Sequence, residues 1–289
     1  MKNKFKFFGM LLLGGLIFGS LALTSCKDDD DDKDDGKIDP STIATTNLVA
    51  YFPFDDNATE KIGTLAPTMM PNVTYVTGRR GKAYQGANGA HLLYTLPANS
   101  KLKTLTSFTL AMWFKSPLVT GDPEPTVFEI GNSEDMFWGN LKFALNRLDA
   151  TADSLKIKAF FLKSGAEWSG QHIDYSNSAF VTDMWMHLVL QYDEVTSKYM
   201  IYKDGVKVIT NDGVENRYSG PGEVPLGPLA FVNADKINIG AWRPKSEGTA
   251  QDAWMGWFLG NLDELRVYNK ALTATEVKAL YDAEVTQIN

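Results

Sequence analysis

From Asn47 onward the chain alternates short apolar runs with turn residues, and the runs have the length of strands. Leu48–Phe54 is apolar and aromatic. Ser107–Lys115 (SFTLAMWFK) is apolar at both parities, the pattern of a central strand buried on both faces. Thr126–Ile130 and Leu141–Leu145 are short apolar runs. Leu155–Leu162 begins by alternating, with Leu155, Ile157 and Ala159 on one face and Lys156 and Lys158 on the other. Met186–Tyr192 alternates again, and Ile237–Ala241 and Leu262–Tyr268 complete the set. Lys198–Lys203 and Val206–Ile209 are joined by Asp204-Gly205, which favours a two-residue type I′ turn because both positions need positive φ. The spacing predicts one helix, at the C-terminus. Thr273 and Glu276 stand at capping-box distance, and Val277, Leu280 and Tyr281 then form an apolar stripe. These elements predict an all-β fold, a two-sheet antiparallel jelly-roll sandwich with a short C-terminal helix. The Gly/Pro-rich stretch Ser219–Pro228 is expected to be a long loop, since strand signals resume after it.

The first residues follow another pattern. Lys2, Lys4 and Lys6 precede an almost unbroken apolar run from Phe7 to Leu23, the layout of a secretory signal peptide. Leu23-Thr24-Ser25-Cys26 resembles the lipobox of bacterial lipoproteins, which implies cleavage before Cys26 and its acylation. Cys26 is the sole cysteine, so no disulfide forms within the chain, and lipidation gives that residue a purpose. Asp28–Asp32, Asp34 and Asp35 then make a self-repelling block that reads as an extended tether. An acidic run directly after the lipid cysteine also resembles the surface-export signal of Bacteroidetes lipoproteins. The expected organisation is a signal peptide over 1–25, an acidic tether over 26–46 and one domain over 47–289. The expected location is the outer membrane, facing outward.

Composition narrows the partners. The 289 residues are 44% apolar and 12% aromatic, enough to bury a core and too apolar for a disordered chain. The net charge is −7. Residues 1–26 carry three Lys and no acid (+3), and residues 27–39 carry three Lys and eight Asp (−5), so the remainder holds −5. With no basic stripe, nucleic acid is not expected as a partner.

Six segments stand in order along the chain: Leu48-Val-Ala-Tyr-Phe-Pro-Phe-Asp-Asp-Asn57, Gly81-Lys-Ala-Tyr-Gln-Gly86 and Phe108-Thr-Leu-Ala-Met-Trp113, then Trp185-Met-His187, Ile201-Tyr-Lys-Asp-Gly205 and Gly260-Asn-Leu-Asp-Glu-Leu-Arg-Val-Tyr268. In this order they resemble the laminin-G-like, concanavalin A-like lectin/glucanase superfamily. The resemblance covers roughly residues 47–283 and implies the jelly roll, with Trp113 and Trp185 in the core. It also implies a structural Ca²⁺ held by Asp263 and Asp55 with nearby carbonyls, a hard-cation site of oxygen ligands. The other reading makes Asp55 and Asp56 turn residues and Asp263 a hydrogen-bonded strand residue. With three His and one Cys, a zinc site is not expected.

Sugars stack their C–H faces on exposed aromatic rings. Trp138, Trp168, Trp242, Trp254 and Trp257 stand in stretches rich in Gly and polar residues and are the candidate platforms. Glycosidases need two flanking carboxyl groups. Asn261-Leu-Asp263-Glu264 lacks the first Glu of the laminarinase pattern Glu-x-Asp-x-x-Glu, and adjacent strand residues are expected to face opposite ways. The sequence therefore predicts a non-catalytic lipoprotein that captures a polysaccharide or glycan, resembling the accessory proteins of outer-membrane glycan-uptake systems. A protein-binding adhesion module is the first alternative and a cryptic glycoside hydrolase the second.

Overall fold

A computed structural model describes residues 38–119, 123–146, 154–250 and 252–285. The leader, Cys26 and the Asp28–Asp35 block lie outside the described residues. The strands in chain order are β1 (Leu48–Phe52), β2 (Thr74–Thr77), β3 (Lys82–Gln85), β4 (Leu92–Thr95) and β5 (Phe108–Lys115). Next come β6 (Glu124–Asn132), β7 (Leu141–Asn146), β8 (Ser154–Leu162), β9 (Gly170–Val181) and β10 (Met186–Asp193). β11 (Lys198–Lys203), β12 (Val206–Lys207), β13 (Ala234–Ile239), β14 (Met255–Gly256) and β15 (Asn261–Tyr268) complete the set. The helices are α1 (Asp212–Glu215), α2 (Arg243–Ser246) and α3 (Ala274–Val285).

The strands form two sheets. The first runs β12-β11-β10-β5-β15-β3-β2, with β1 also on β15; the second runs β4-β13-β6-β7-β8-β9, with β14 alongside β6. Pairing is antiparallel except between β14 and β6. The inward positions are apolar: Phe52, Leu110, Met112, Leu188 and Leu190 from the first sheet meet Phe128, Phe143, Ile157 and Phe161 from the second in one core. This is the jelly-roll sandwich.

β5 sits mid-sheet and is buried along nearly its whole length. Its outer residue Ala111 packs with Val189, Tyr202, Val277 and Leu280, because α3 lies across the outer face of the first sheet. Thr273 caps α3 as expected. Its Oγ1 accepts from the Glu276 amide at 3.2 Å, and Glu276 Oε2 accepts from the Thr273 amide at 2.8 Å. Asp204 and Gly205 have φ of 50° and 78°, the type I′ geometry, but β12 ends at Lys207 rather than Ile209. Ser219–Pro228 carries no strand beyond an isolated bridge. Ordered packing begins before residue 47, since Pro40 and Ile43 are buried in short turns.

β15 departs from the regular alternation. Its register against β5 shifts between Asp263 and Arg266, and Glu264 has φ +52°. The bulge brings Asp263 and Glu264 to one partner, Arg80, instead of sending them to opposite faces. Asp263 Oδ2 accepts from the Arg80 amide at 2.8 Å and Glu264 Oε2 from Arg80 Nη1 at 2.9 Å.

Candidate functional site

The outer face of the second sheet carries an aromatic shelf. Alternation sends Lys158 and Phe160 outward on β8 and His172 and Asp174 outward on β9; Lys158 pairs with Asp174 and Phe160 with His172. The connection from β6 to β7 then lays Trp138 over them. The Trp138 ring stacks on Phe160 at 5.4 Å and meets His172 edge-on at 4.6 Å. Asp135 fixes this connection by accepting from the amides of Phe137 (3.1 Å) and Trp138 (3.0 Å). Phe160 is thereby buried, while Trp138 and Phe137 stay half-exposed.

Beneath the shelf lies an ionic support. Lys142 is fully buried on β7, with Nζ 3.3 Å from Glu129 Oε2 on β6. It donates to the Phe137 carbonyl and sits 3.7 Å from the Trp242 ring centre. Burial pushes Glu129 up to about 7 and pulls Lys142 down, each against the attraction of the other. At the rim, Lys158 pairs with Glu124 at 2.6 Å, and its Nζ is 5.6 Å from the Trp138 ring centre. Asn146 donates to Asp174 at 2.8 Å.

The five tryptophans expected to face ligand divide. Trp138, Trp242 and Trp254 belong to one cluster bridged by Phe137, with Trp242–Trp254 centroids 5.1 Å apart. Trp242 is no platform. It is 0% exposed, covered by Phe137, Trp254 and Lys142, and its Nε1 donates to the Glu124 carbonyl. Trp254 is half-exposed at the edge of the cluster. Trp168 is 47% exposed on the β8–β9 turn, its amide donating to the Ser219 carbonyl at 3.1 Å. Trp257 stacks on His91 instead, at 5.7 Å, and lines a cleft of about 140 Å³ with Pro117, Pro123 and Leu259. Trp113 is buried, but beneath α3 rather than between the sheets. Trp185 is only half-buried, because it precedes β10 and lies under Lys115.

Phe137, Phe160, His172, Lys158 and Glu124 were not singled out from the sequence. The outward parity of Lys158 was visible. β9 was not, because of its inward positions Gln171, Ile173, Tyr175, Asn177 and Ala179 only Ile173 is strongly apolar.

Asp55 and Asp263 converge on one turn, Gly78–Lys82. Asp55 Oδ1 accepts from the Lys82 amide at 2.9 Å. A Cβ on Gly78 would stand 2.5 Å from Asp263 Oδ2, and one on Gly81, at φ +53°, 2.2 Å from Asp55 Oδ1. Only glycine admits both carboxylates so close to the backbone. Asp263 is buried, and its Oδ1 has no hydrogen-bond partner among the described residues. Desolvation pushes this carboxyl up to about 8. A buried carboxylate oxygen without a partner, with a second carboxylate on the same turn, fits a hard cation. Among the described residues no three His, Cys, Asp or Glu gather for a metal, so Ca²⁺ would draw on carbonyls and water for its remaining ligands.

Glu264 is committed elsewhere. It accepts from Tyr51 (2.8 Å), Arg80 (2.9 Å) and Arg266 (2.6 Å), and it is buried. It does not flank an open cleft with Asp263, so the bulge makes no glycosidase pair of these two groups.

Solved structures share this fold. Domain 4 of AbnA, a GH43 extracellular arabinanase from Geobacillus stearothermophilus, in complex with arabinotriose, is 20% identical. That match covers 81% of this chain and 98% of the other, with a TM-score of 0.52. The binding domain of Botulinum neurotoxin DC, in complex with SialylT, is 13% identical, with 84% of this chain, 52% of that chain and a TM-score of 0.56. The same toxin domain in complex with rat synaptotagmin II gives the same values. This chain thus spans about half the length of the toxin domains. No curated protein matches the sequence. A model of the concanavalin A-like lectin/glucanase superfamily, in its laminin-G-like form, matches residues 88–278. With that match over most of its length, and with this sandwich, the chain belongs to the concanavalin A-like lectin/glucanase superfamily.

Proposed function

We propose that this protein is a non-catalytic carbohydrate-binding lipoprotein, anchored through Cys26 to the outer membrane and facing outward. In this reading it holds a polysaccharide or glycan on the outer face of the second sheet and hands it to other glycan-uptake proteins. The observation that carries the binding site is Trp138: a half-exposed indole braced by Phe160 and His172 and ringed by hydrogen-bonding side chains. A rigid ring offers stacking area at little entropic cost, and the rim groups can meet hydroxyls. The anchor rests on the Leu23–Cys26 pattern.

Trp138→Ala is expected to weaken binding of the recognised glycan by about 2 kcal/mol, roughly thirty-fold, the scale of a central aromatic anchor. The test is a panel of plant, host and microbial glycans presented to the protein and to this variant, with product analysis. A bound glycan without turnover, lost in Trp138→Ala, supports the reading. Binding that survives the substitution removes Trp138 from the site, and released oligosaccharides revive the hydrolase. No glycan bound by the folded protein moves the adhesion module to the front.

We also propose that Asp263 and Asp55 hold a structural Ca²⁺. A cation bound only by the folded state stabilises by about 3 kcal/mol at a hundred times its Kd. For a domain of this size that raises Tm by roughly 5–10 °C. Thermal unfolding with chelator and then with millimolar Ca²⁺ should show the rise, and Asp263→Asn should abolish it. An unchanged Tm in the unsubstituted protein would discard the site.

A further inference from the structure

We infer that the Trp138 shelf takes an uncharged polysaccharide rather than an acidic one. The inference rests on the binding reading above and deepens it by naming the ligand class. The cations nearest the ring are already paired. Lys158 is paired with Glu124 at 2.6 Å, and Lys142 is buried against Glu129 at 3.3 Å. The two remaining outward charges, Lys156 on β8 and Asp174 on β9, are one register step apart on adjacent strands: Lys158 stands opposite Asp174 and Lys156 opposite Ser176. Lys156, Lys158, Glu124 and Asp174 therefore sum to zero, and Asp135, on the connection that carries Trp138, adds a negative charge. His172 adds no cation near neutral pH, since burial and the neighbouring Lys158 both lower its pKa.

An acidic sugar would gain little on such a surface. To reach Lys158, the cation beside the ring, its carboxylate or sulfate would have to break the Lys158–Glu124 pair and would then leave a carboxylate facing another anion. Sugar hydroxyls can instead share these groups without separating them, donating to Glu124 or Asp174 and accepting from Lys158 or Asn146. The chain as a whole carries −7, which also disfavours the approach of a polyanion.

The test compares neutral polysaccharides (arabinan, xylan, mannan and mixed-linkage glucan) with polygalacturonate, alginate and heparin. Binding to the intact protein is measured at low and at high NaCl. The inference expects binding within the neutral set, lost in Trp138→Ala, changing less than about twofold with salt because no net charge is neutralised. Lys156→Gln, which removes a cation without touching the ring, should leave the affinity within about twofold for the same reason. Preferential binding of a uronate or sulfated chain that depends on Trp138 and weakens with salt would overturn this inference and keep the reading of the site. Failure to bind either set, or binding indifferent to Trp138→Ala, overturns that reading and this inference with it.

Discussion

Glu284→Ala should cost the fold about 3–5 kcal/mol, as removing one partner of a buried ion pair does. Glu284 ends the inner face of α3 and is fully buried. It accepts from Trp113 Nε1 at 2.8 Å and pairs with Arg266, whose Nη2 reaches Glu264 at 2.6 Å. Glu264 in turn holds Arg80 at 2.9 Å. Two carboxylates and two guanidiniums thus form a neutral group of four that joins α3, β15 and the turn before β3. Losing Glu284 leaves an uncompensated cation under the helix and an indole N–H without an acceptor. His187 adds no second cation there. Its Nε2 is 3.7 Å from Glu284, but burial and Arg266 push its pKa down to about 3, so it is neutral. Denaturant unfolding measures the loss. Glu284→Gln, which keeps an acceptor for Trp113, should lose less. A loss below ~1 kcal/mol in Glu284→Ala would mean that Val277 and Leu280 hold α3 without the ionic group.

What was legible in the sequence was local. The Asp204-Gly205 turn, the Thr273/Glu276 cap and the doubly buried β5 each follow from a few neighbouring residues, and each is present. What was not legible depends on distant segments. Trp242 reads like a loop tryptophan between Gly240 and Pro244, yet residues 137, 142 and 254 close over it. The shelf itself needs β8, β9 and the β6–β7 connection to meet, and no pattern within one segment announces that. The β15 bulge was hidden for a related reason. Alternation assigns Asp263 and Glu264 to opposite faces, and only the altered register against β5 puts both at Arg80. Asp55 and Asp263 were named through resemblance, and they do meet on one turn, although 208 positions separate them.

Lys142→Met is expected to destabilise the domain by about 3–5 kcal/mol near neutral pH, because Glu129 then stays buried without its ion-pair partner. The pH dependence gives the sign. Glu129 has a folded pKa of about 7, above its ordinary 4.5, so the folded state holds the proton more tightly than the unfolded one. Its contribution to stability is full below about 4.5 and is lost as pH rises to about 7. Without Lys142 the folded pKa rises further, and the loss extends to higher pH. Unfolding free energies across that range should therefore fall more steeply in Lys142→Met than in the unsubstituted protein. Adding Glu129→Gln should remove the steep fall and recover most of the stability, since a buried pair replaced as a whole is often nearly neutral. Glycan binding should not recover with it. The Phe137 carbonyl would still lack its Lys142 donor and the Trp242 ring its cation, so the connection carrying Trp138 would lose that tie to β7 and keep its Asp135 bonds and ring contacts. A double variant that is stable and binds at full strength would show that Lys142 serves the fold alone. One that is stable and binds weakly would show that the buried lysine positions the platform.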